Sequence, residues 1–180
     1  MLYVIAAPSG AGKTTIVKEL LKDNSDLVFS VSATTRPRRK GEADGVDYFY
    51  LSKEEFKNKI DSGELVEYEL LFNGDYYGTL KTFVEDNVAK GNDLIFDIDV
   101  KGALSLKKIY GDKALLIFIM PPNLESLRVR LKGRGTESED QINERIRRAE
   151  LEMNKAGKFD MIVVNDNLQK AVNEIQKIIK

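Results

Sequence analysis

The sequence contains no cysteine and no histidine among its 180 residues. The first absence removes disulfides, thiolate metal sites and a thiol nucleophile together. The second removes a Ser-His-Asp triad and any imidazole base. A charge imbalance is also missing: 28 basic and 29 acidic residues nearly cancel. There is therefore no global field to draw the chain to nucleic acid or to an acidic membrane, and any basic site must be local. No apolar run approaches membrane-spanning length, and no basic region precedes the short apolar segment at the N-terminus. What is left for chemistry is carboxylates, lysines, arginines, hydroxyls and a hard metal ion. A hydrophobic content of 42% suits a soluble globular protein of one domain with insertions. A cytoplasmic protein with no membrane and no nucleic-acid partner is the expectation.

The residues present are organised around Tyr3–Thr15, YVIAAPSGAGKTT. Its first residues read as a short buried strand and Lys13 onward as a helix. The turn between them follows G-x-x-x-x-G-K-[ST], with Ala7 at the first glycine position. Such a turn points backbone N–H groups inward at a helix N-terminus, which makes an anion cradle. Lys13 reaches the outer phosphates, and Thr14 offers a hydroxyl to a phosphate-bound magnesium ion. An ordinary turn would not explain the lysine.

Apolar runs at Leu2–Ala6, Leu27–Val31, Leu94–Ile98, Leu115–Met120 and Met161–Val164 read as strands buried on both faces. Helical stretches separate most of them, the rhythm of a parallel sheet in an α/β fold. Helices are expected after the cradle, over Thr79–Lys90 with Gly91 as stop, and from Asn123 to Lys132. A longer one follows the capping box Ser138–Gln141, and a last one runs Leu168–Ile179. The polar, aromatic stretch from Ser32 to Gly78 breaks this rhythm and reads as an α+β insertion. It carries a helix after the box Ser52–Glu55, a half-exposed strand Leu65–Leu71 and a tight turn at Asn73-Gly74. Phe49, Phe56 and Tyr68 are its expected small core.

Several further groupings bear on chemistry. Arg36, Arg38, Arg39 and Lys40 put four cations into five residues just past a strand end. They form either a solvated turn or a seat for a second phosphate, which the planar fork of arginine suits. Asp97 and Asp99 close an apolar strand; Asp97 is placed to hold a magnesium shell, while Asp99 can instead cap a helix over Val100–Tyr110. Of the arginines in the last third, Arg128 and Arg147 read as surface residues. Arg130 and Arg134 share a face, and Gly135-Thr136 lets a short arginine-bearing flap fold over a ligand. Phosphoryl transfer needs positioning and charge neutralisation more than proton chemistry, which suits a chain without histidine.

Taken together, APSGAGKTT, SVSATTRPRRKGE, DYFY, the Tyr-Tyr-Gly-Thr element, FDIDVKG, RLKGRGTES and VVNDNL resemble guanylate kinase, in order and over essentially the whole chain. The resemblance implies a P-loop core with a parallel five-stranded sheet, a GMP-binding α+β insertion and a short helical lid. The expected division is residues 1–31, 80–124 and 150–180 for the core, 32–79 for the insertion and 125–149 for the lid. The resemblance also implies transfer of the γ-phosphoryl of ATP to GMP, and to dGMP, with Mg²⁺ as cofactor. ATP would be held by Ala7, Pro8, Ser9, Gly10, Ala11, Gly12, Lys13, Thr14 and Thr15, with Arg130, Arg134 and Asn165. GMP would be held by Ser32, Arg36, Arg39, Tyr48, Glu67, Tyr77, Thr79 and Asp97. Ser32, Glu67, Thr79 and Asp97 would read the base and the others the phosphate. Lys13, Arg36, Arg130, Arg134 and Arg145 would stabilise charge at the transferred group, and Thr14, Asp97 and Asp99 would serve the metal, partly through water. Guanine offers N1–H and N2–H₂ donors together, a pair that Glu67 can accept and adenine lacks. Such a site can reject the analogue by about 10⁴-fold.

The sequence departs from the family pattern at Ala7 and at Lys101, which stands where glutamine is common. A span between Glu67 and the tyrosines one residue longer leaves Tyr76 as the alternative to Tyr77. Two other functions keep part of the pattern. A catalytically silent guanylate-kinase-like interaction module would not need Lys13, Thr14 and the arginines. A P-loop kinase for a phosphorylated sugar would not need Glu67. Oligomeric state stays open between monomer and homo-oligomer.

Overall fold

The computed structural model describes residues 1–71, 74–133 and 138–179. The first half runs β1 (Leu2–Ala6), α1 (Lys13–Asp23), β2 (Leu27–Phe29), β3 (Ala33–Thr34), β4 (Phe49–Tyr50), α2 (Lys53–Asp61), β5 (Leu65–Leu70) and β6 (Tyr76–Leu80). The second runs α3 (Lys81–Ala89), β7 (Asp93–Asp97), α4 (Val100–Tyr110), β8 (Ala114–Met120), α5 (Leu124–Lys132), α6 (Glu139–Met153), β9 (Met161–Val164) and α7 (Leu168–Gln176).

Every side chain of β1 is buried, so this strand must be central, and it is. The large sheet has the order β2-β7-β1-β8-β9 with all pairs parallel. Period-two alternation sorts β1 between two cores. Leu2, Val4 and Ala6 join Phe96, Phe118 and Leu116 under α3 and α4, where Val84, Val100, Ala103 and Leu106 pack. Tyr3 and Ile5 join Ile95, Ile117 and Ile119 under α1 and α7, against Ile16, Leu20, Val172 and Ile175. Burying each such side chain stabilises the fold by about 1.5–3 kcal/mol.

The expected five strands are all present, with differences at the two edges. After the Ser30 N–H donates to the Ile95 carbonyl (2.9 Å), the chain leaves the sheet, so β2 is shorter than Leu27–Val31. The expectation that β9 is buried on both faces is corrected: only Val163 is buried, and Met161, Ile162 and Val164 are exposed. An edge strand has sheet on one side only, and its cover is correspondingly thin.

The insertion forms a second sheet, β4-β3-β6-β5, with α2 started by the expected Ser52–Glu55 capping box. Phe56 is fully buried and stacks on Tyr76 with ring centroids 5.2 Å apart. Tyr68, expected in that small core, is exposed, and Phe49 is only half-buried. Thr79 does not open a helix as expected. It pairs with Glu67 in β6, and α3 begins at Lys81 after Leu80 pairs with Leu65. The Asn73 half of the expected turn lies outside the described residues. Asp99 caps α4 over Val100–Tyr110 as read, its side chain accepting from the Gly102 N–H at 2.8 Å.

In the segment expected to form a lid, α5 and α6 pack through Leu127, Leu131, Ile142, Ala149 and Ile146, a cluster separate from both main cores. The Ser138–Gln141 box is formed, and α6 runs unbroken to Met153, past the expected lid boundary at 149. Among the described residues, no helix is long and apolar enough to cross a membrane.

Candidate active site

The β1–α1 turn sits at the C-terminal end of the central strand. Gly12 adopts φ 94°, and a Cβ there would lie 2.6 Å from Asn165 Nδ2, so a side chain is excluded on both counts. The N-cap of α1 is Gly12, and among the described residues no side chain caps it, which leaves the first N–H groups of the helix aimed at the turn. Among the described residues no non-glycine has positive φ, so Ala7 fills its place without strain. The turn is braced from beneath. The Asn165 side chain, buried, donates to the Ala11 carbonyl at 2.7 Å. Arg130 of α5 donates to the Ala11 carbonyl (3.3 Å) and to the Asn165 carbonyl (2.8 Å). Arg145 of α6 reaches Ser9 Oγ at 3.5 Å. Two expected lid arginines therefore meet the cradle. Arg134 lies outside the described residues.

Parallel pairing of β1 with β7 sets Ile5 beside Asp97. This brings the Asp97 carboxylate against the two motif residues: Lys13 Nζ lies 2.9 Å from Oδ1, and Thr14 Oγ1 donates to Oδ2 at 2.7 Å. Lys13 also donates to the Ile98 carbonyl at 2.6 Å. The two aspartates separate here. Asp97 faces the cradle, and Asp99 turns toward the insertion. Burial alone would raise the Asp99 carboxyl, but bonds with Glu69 and with the Gly102 and Lys101 N–H groups hold it below its ordinary value.

The insertion supplies two groups of residues. In the first, Glu67 accepts from Thr79 Oγ1 at 2.7 Å, and Thr79 is itself buried. The pairing of β5 with β6 shifts register between Leu65 and Glu67. Such irregularities re-aim side chains, and here the neighbours Val66 and Glu67 both meet α4: Val66 in the core with Val100 and Ala103, Glu67 against Gly102. A Cβ on Gly102 would stand 2.8 Å from Glu67 Oε2. Burial pushes the Glu67 carboxyl up to about 7, although the Thr79 hydrogen bond opposes this.

In the second group, Arg36 forms a two-pronged pair with Glu42, at 2.8 and 3.1 Å. Its guanidinium also lies over the rings of Tyr48 (5.3 Å) and Tyr50 (5.9 Å). Glu42 further accepts from the Arg39 N–H (2.8 Å) and from Tyr50 Oη (2.7 Å). These bonds, the Arg36 one largest, lower its carboxyl to about 2. Tyr77 meets Tyr48 edge-on at 5.8 Å and hydrogen-bonds Arg36, whereas Tyr76 is stacked on Phe56 in the insertion core. The added residue before the tyrosines thus leaves Tyr77 on the cation side. Ser32 is half-buried between β2 and β3, and the Arg39 side chain is exposed.

A model of the guanylate kinase family matches residues 1–180. The chain belongs to the guanylate kinase family. It is 51% identical over 173 residues to guanylate kinase of Salinibacter ruber, covering 96% of this chain and 92% of that one. It is 50% identical over 178 residues to guanylate kinase of Chlorobium chlorochromatii, covering 99% and 93%. A crystal structure of guanylate kinase from Anaplasma phagocytophilum superposes with a TM-score of 0.79 at 32% identity, over 99% of this chain and 84% of that one. The fold is that of P-loop nucleotide kinases.

Three residues at the site have no role in the sequence reading. Glu42 had a visible signal, an acid closing a run of four cations. Gly102 lay inside the FDIDVKG motif, but its use depends on how closely β5 approaches α4. Glu69 stands two residues beyond Glu67, hence on the same side of β5. Two outcomes are expected from this geometry. Glu42→Gln removes the charge that holds Arg36, and should raise KM for GMP about tenfold while KM for ATP stays within about twofold. Gly102→Ala should push the Glu67 carboxylate aside and raise KM for GMP about tenfold with little loss of thermal stability, since the displaced atom is the far end of a flexible side chain. Steady-state kinetics with each substrate varied in turn, with melting curves, check both.

Proposed function

We infer that this chain is an ATP-dependent guanylate kinase, moving the γ-phosphoryl group of ATP to GMP and leaving ADP and GDP. The observation that carries the reading is the Glu67 carboxylate, held by Thr79 against Gly102 and within electrostatic reach of Lys13. It joins a guanine-sized hydrogen-bonding demand to an intact phosphate cradle. Glu67 accepts the N1–H and N2–H₂ pair, with Ser32, Thr79 and Asp97 completing the base pocket. Arg36, Arg39, Tyr48 and Tyr77 take the acceptor phosphate. Ala7 to Thr15 wrap the ATP phosphates, and Asn165 serves ATP indirectly, by bracing the turn.

Magnesium suits the donors on this face. Thr14 Oγ1 and Asp97 Oδ2, 2.7 Å apart, are hard oxygens of the kind Mg²⁺ prefers. These two would hold an ion that arrives on the phosphates, partly through water, and it would supply charge neutralisation there. Asp99 is spent on capping α4 and on Glu69. Lys13, Arg36, Arg130 and Arg145 are assigned as the charge-stabilising set, with Arg134 added by resemblance alone. A GMP phosphate oxygen is largely ionised at neutral pH and attacks in line, so no protein base is needed. Closure of the insertion (residues 32–79) and the lid (residues 125–149) over the core would exclude water and suppress ATP hydrolysis.

Coupled ADP release with GMP, dGMP, AMP and CMP tests the reading. GMP should be strongly preferred over AMP and CMP, and equal turnover of all would overturn it. Lys13→Ala should lower kcat by about 10²–10³-fold. A pH profile, compared between the unaltered chain and Glu67→Gln, reads Glu67. Since kcat/KM reports the free enzyme, it should fall for GMP as pH drops below about 7 and Glu67 takes a proton. Glu67→Gln should remove the Glu67 part of this limb and leave the titrations of Glu69, also pushed up to about 7, and of the GMP phosphate near about 6. The linked stability has the opposite sense. The folded chain binds the extra Glu67 proton between about 4.5 and about 7, so this contribution is lost as pH rises through that window.

A further inference from the structure

We propose that Arg148 is a positioning residue for the guanine pocket, acting from the lid helix through Glu69. The inference rests on the guanylate kinase reading above. Where β5 packs on the N-terminus of α4, three carboxylates converge: Glu67, Glu69 and Asp99. Glu69 is in hydrogen-bonding contact with Asp99, and Asp99 bears electrostatically on Glu67. A hydrogen bond between two carboxyls needs one proton shared between them, and a cation beside such a pair fixes which way it faces.

The nearest cation of the cradle, Lys13, is committed to Asp97 and Ile98. Lys13 acts on Glu67 and Asp99 only at a distance, and the cation in direct contact with this cluster is Arg148 at Glu69. Its Nη2 donates to Glu69 Oε1 at 3.0 Å, and its Nε donates to Glu152 Oε1 at 2.9 Å, one turn further along α6. The Glu152 bond fixes the guanidinium plane so that the remaining edge points at β5. From there the contacts run in one direction. Arg148 holds Glu69, Glu69 orients Asp99, and Asp99 caps α4 through the Gly102 N–H. Gly102 is the surface on which the Glu67 carboxylate rests.

The geometry therefore ties base recognition to α6, the helix that also carries Arg145 to the cradle at Ser9. Arg148 touches neither nucleotide in this scheme; it sets where the base-reading carboxylates sit. A residue with only a surface-solubility role would not be clamped between two glutamates from different elements.

The test is steady-state kinetics and melting curves on the full chain carrying Arg148→Met, Glu69→Gln, both together, and Arg148→Lys. Arg148→Met is expected to raise KM for GMP about five- to tenfold, with kcat and KM for ATP within about twofold. Arg148→Lys should recover most of that loss, because an ammonium still reaches Glu69. In the Glu69→Gln background, Arg148→Met should change KM for GMP by less than about twofold, since the partner it acts through is gone. An equal effect in both backgrounds overturns the proposal, as does an unchanged KM for GMP. Parallel rises in both KM values with a lowered melting temperature also overturn it, by showing a merely structural residue. An unaltered chain that neither binds nor phosphorylates GMP overturns the functional reading and this one together, whereas an active chain with indifferent variants overturns this one alone.

Discussion

The contact on which the site depends is the three-way junction of Lys13, Thr14 and Asp97. It exists because β1 and β7, far apart in sequence, pair in parallel with Ile5 beside Asp97. Parallel strands end at the same edge of a sheet, so the turn after β1 and the carboxylate closing β7 arrive at one place. Burial keeps them there. β1 is sealed on both faces, and sliding it by one residue would move Leu2, Val4 and Ala6 out of one core and Tyr3 and Ile5 out of the other. The hydrophobic register of the sheet thus fixes a polar contact at its rim.

Several charges of the site are held by an opposite one. Lys13 has Asp97, Arg36 has Glu42, and Glu69 has Arg148. Half-buried charges without partners would cost several kcal/mol or neutralise themselves by gaining or losing a proton. Pairing keeps the cations in place before any phosphate arrives, so binding exchanges one set of partners for another and orders little that is not already ordered. Glu67 has no such ion pair among the described contacts. Its partner in the free chain is a hydroxyl, and burial holds its carboxyl up to about 7. A group poised in this way gains most from a ligand that brings two donors, which is what guanine does and adenine does not.

Much of this was legible in the chain itself. The cradle, the five strands, the Asp99 cap and the Ser52 and Ser138 capping boxes all rest on local rules, and local rules survive folding. The misreadings share a different cause. Thr79 looked like a helix start because Leu80, Phe83 and Val84 recur at helical spacing, but pairing with Glu67 drew it into β6. Tyr68 looked like core because it is aromatic, yet the irregular pairing near Glu67 turned it outward. Met161, Ile162 and Val164 looked doubly buried because they are apolar, while strand order put β9 at an edge. In each case a neighbour distant in sequence decided the outcome.

The resemblance of the motifs pointed Glu67 at guanine, and the sequence by itself determined the rest of the chemistry: no histidine or cysteine, a phosphate-binding turn and a run of four cations. Those properties belong to residue types and short spacings, which no packing can alter. Only the tertiary structure decided which aspartate faces the cradle, which tyrosine faces Arg36, and that Gly102, Glu42, Glu69 and Arg148 stand beside residues named from the sequence. Their roles depend on separations of a few ångströms between β5, α4 and α6, and such distances arise only when the sheet register and helix packing are complete.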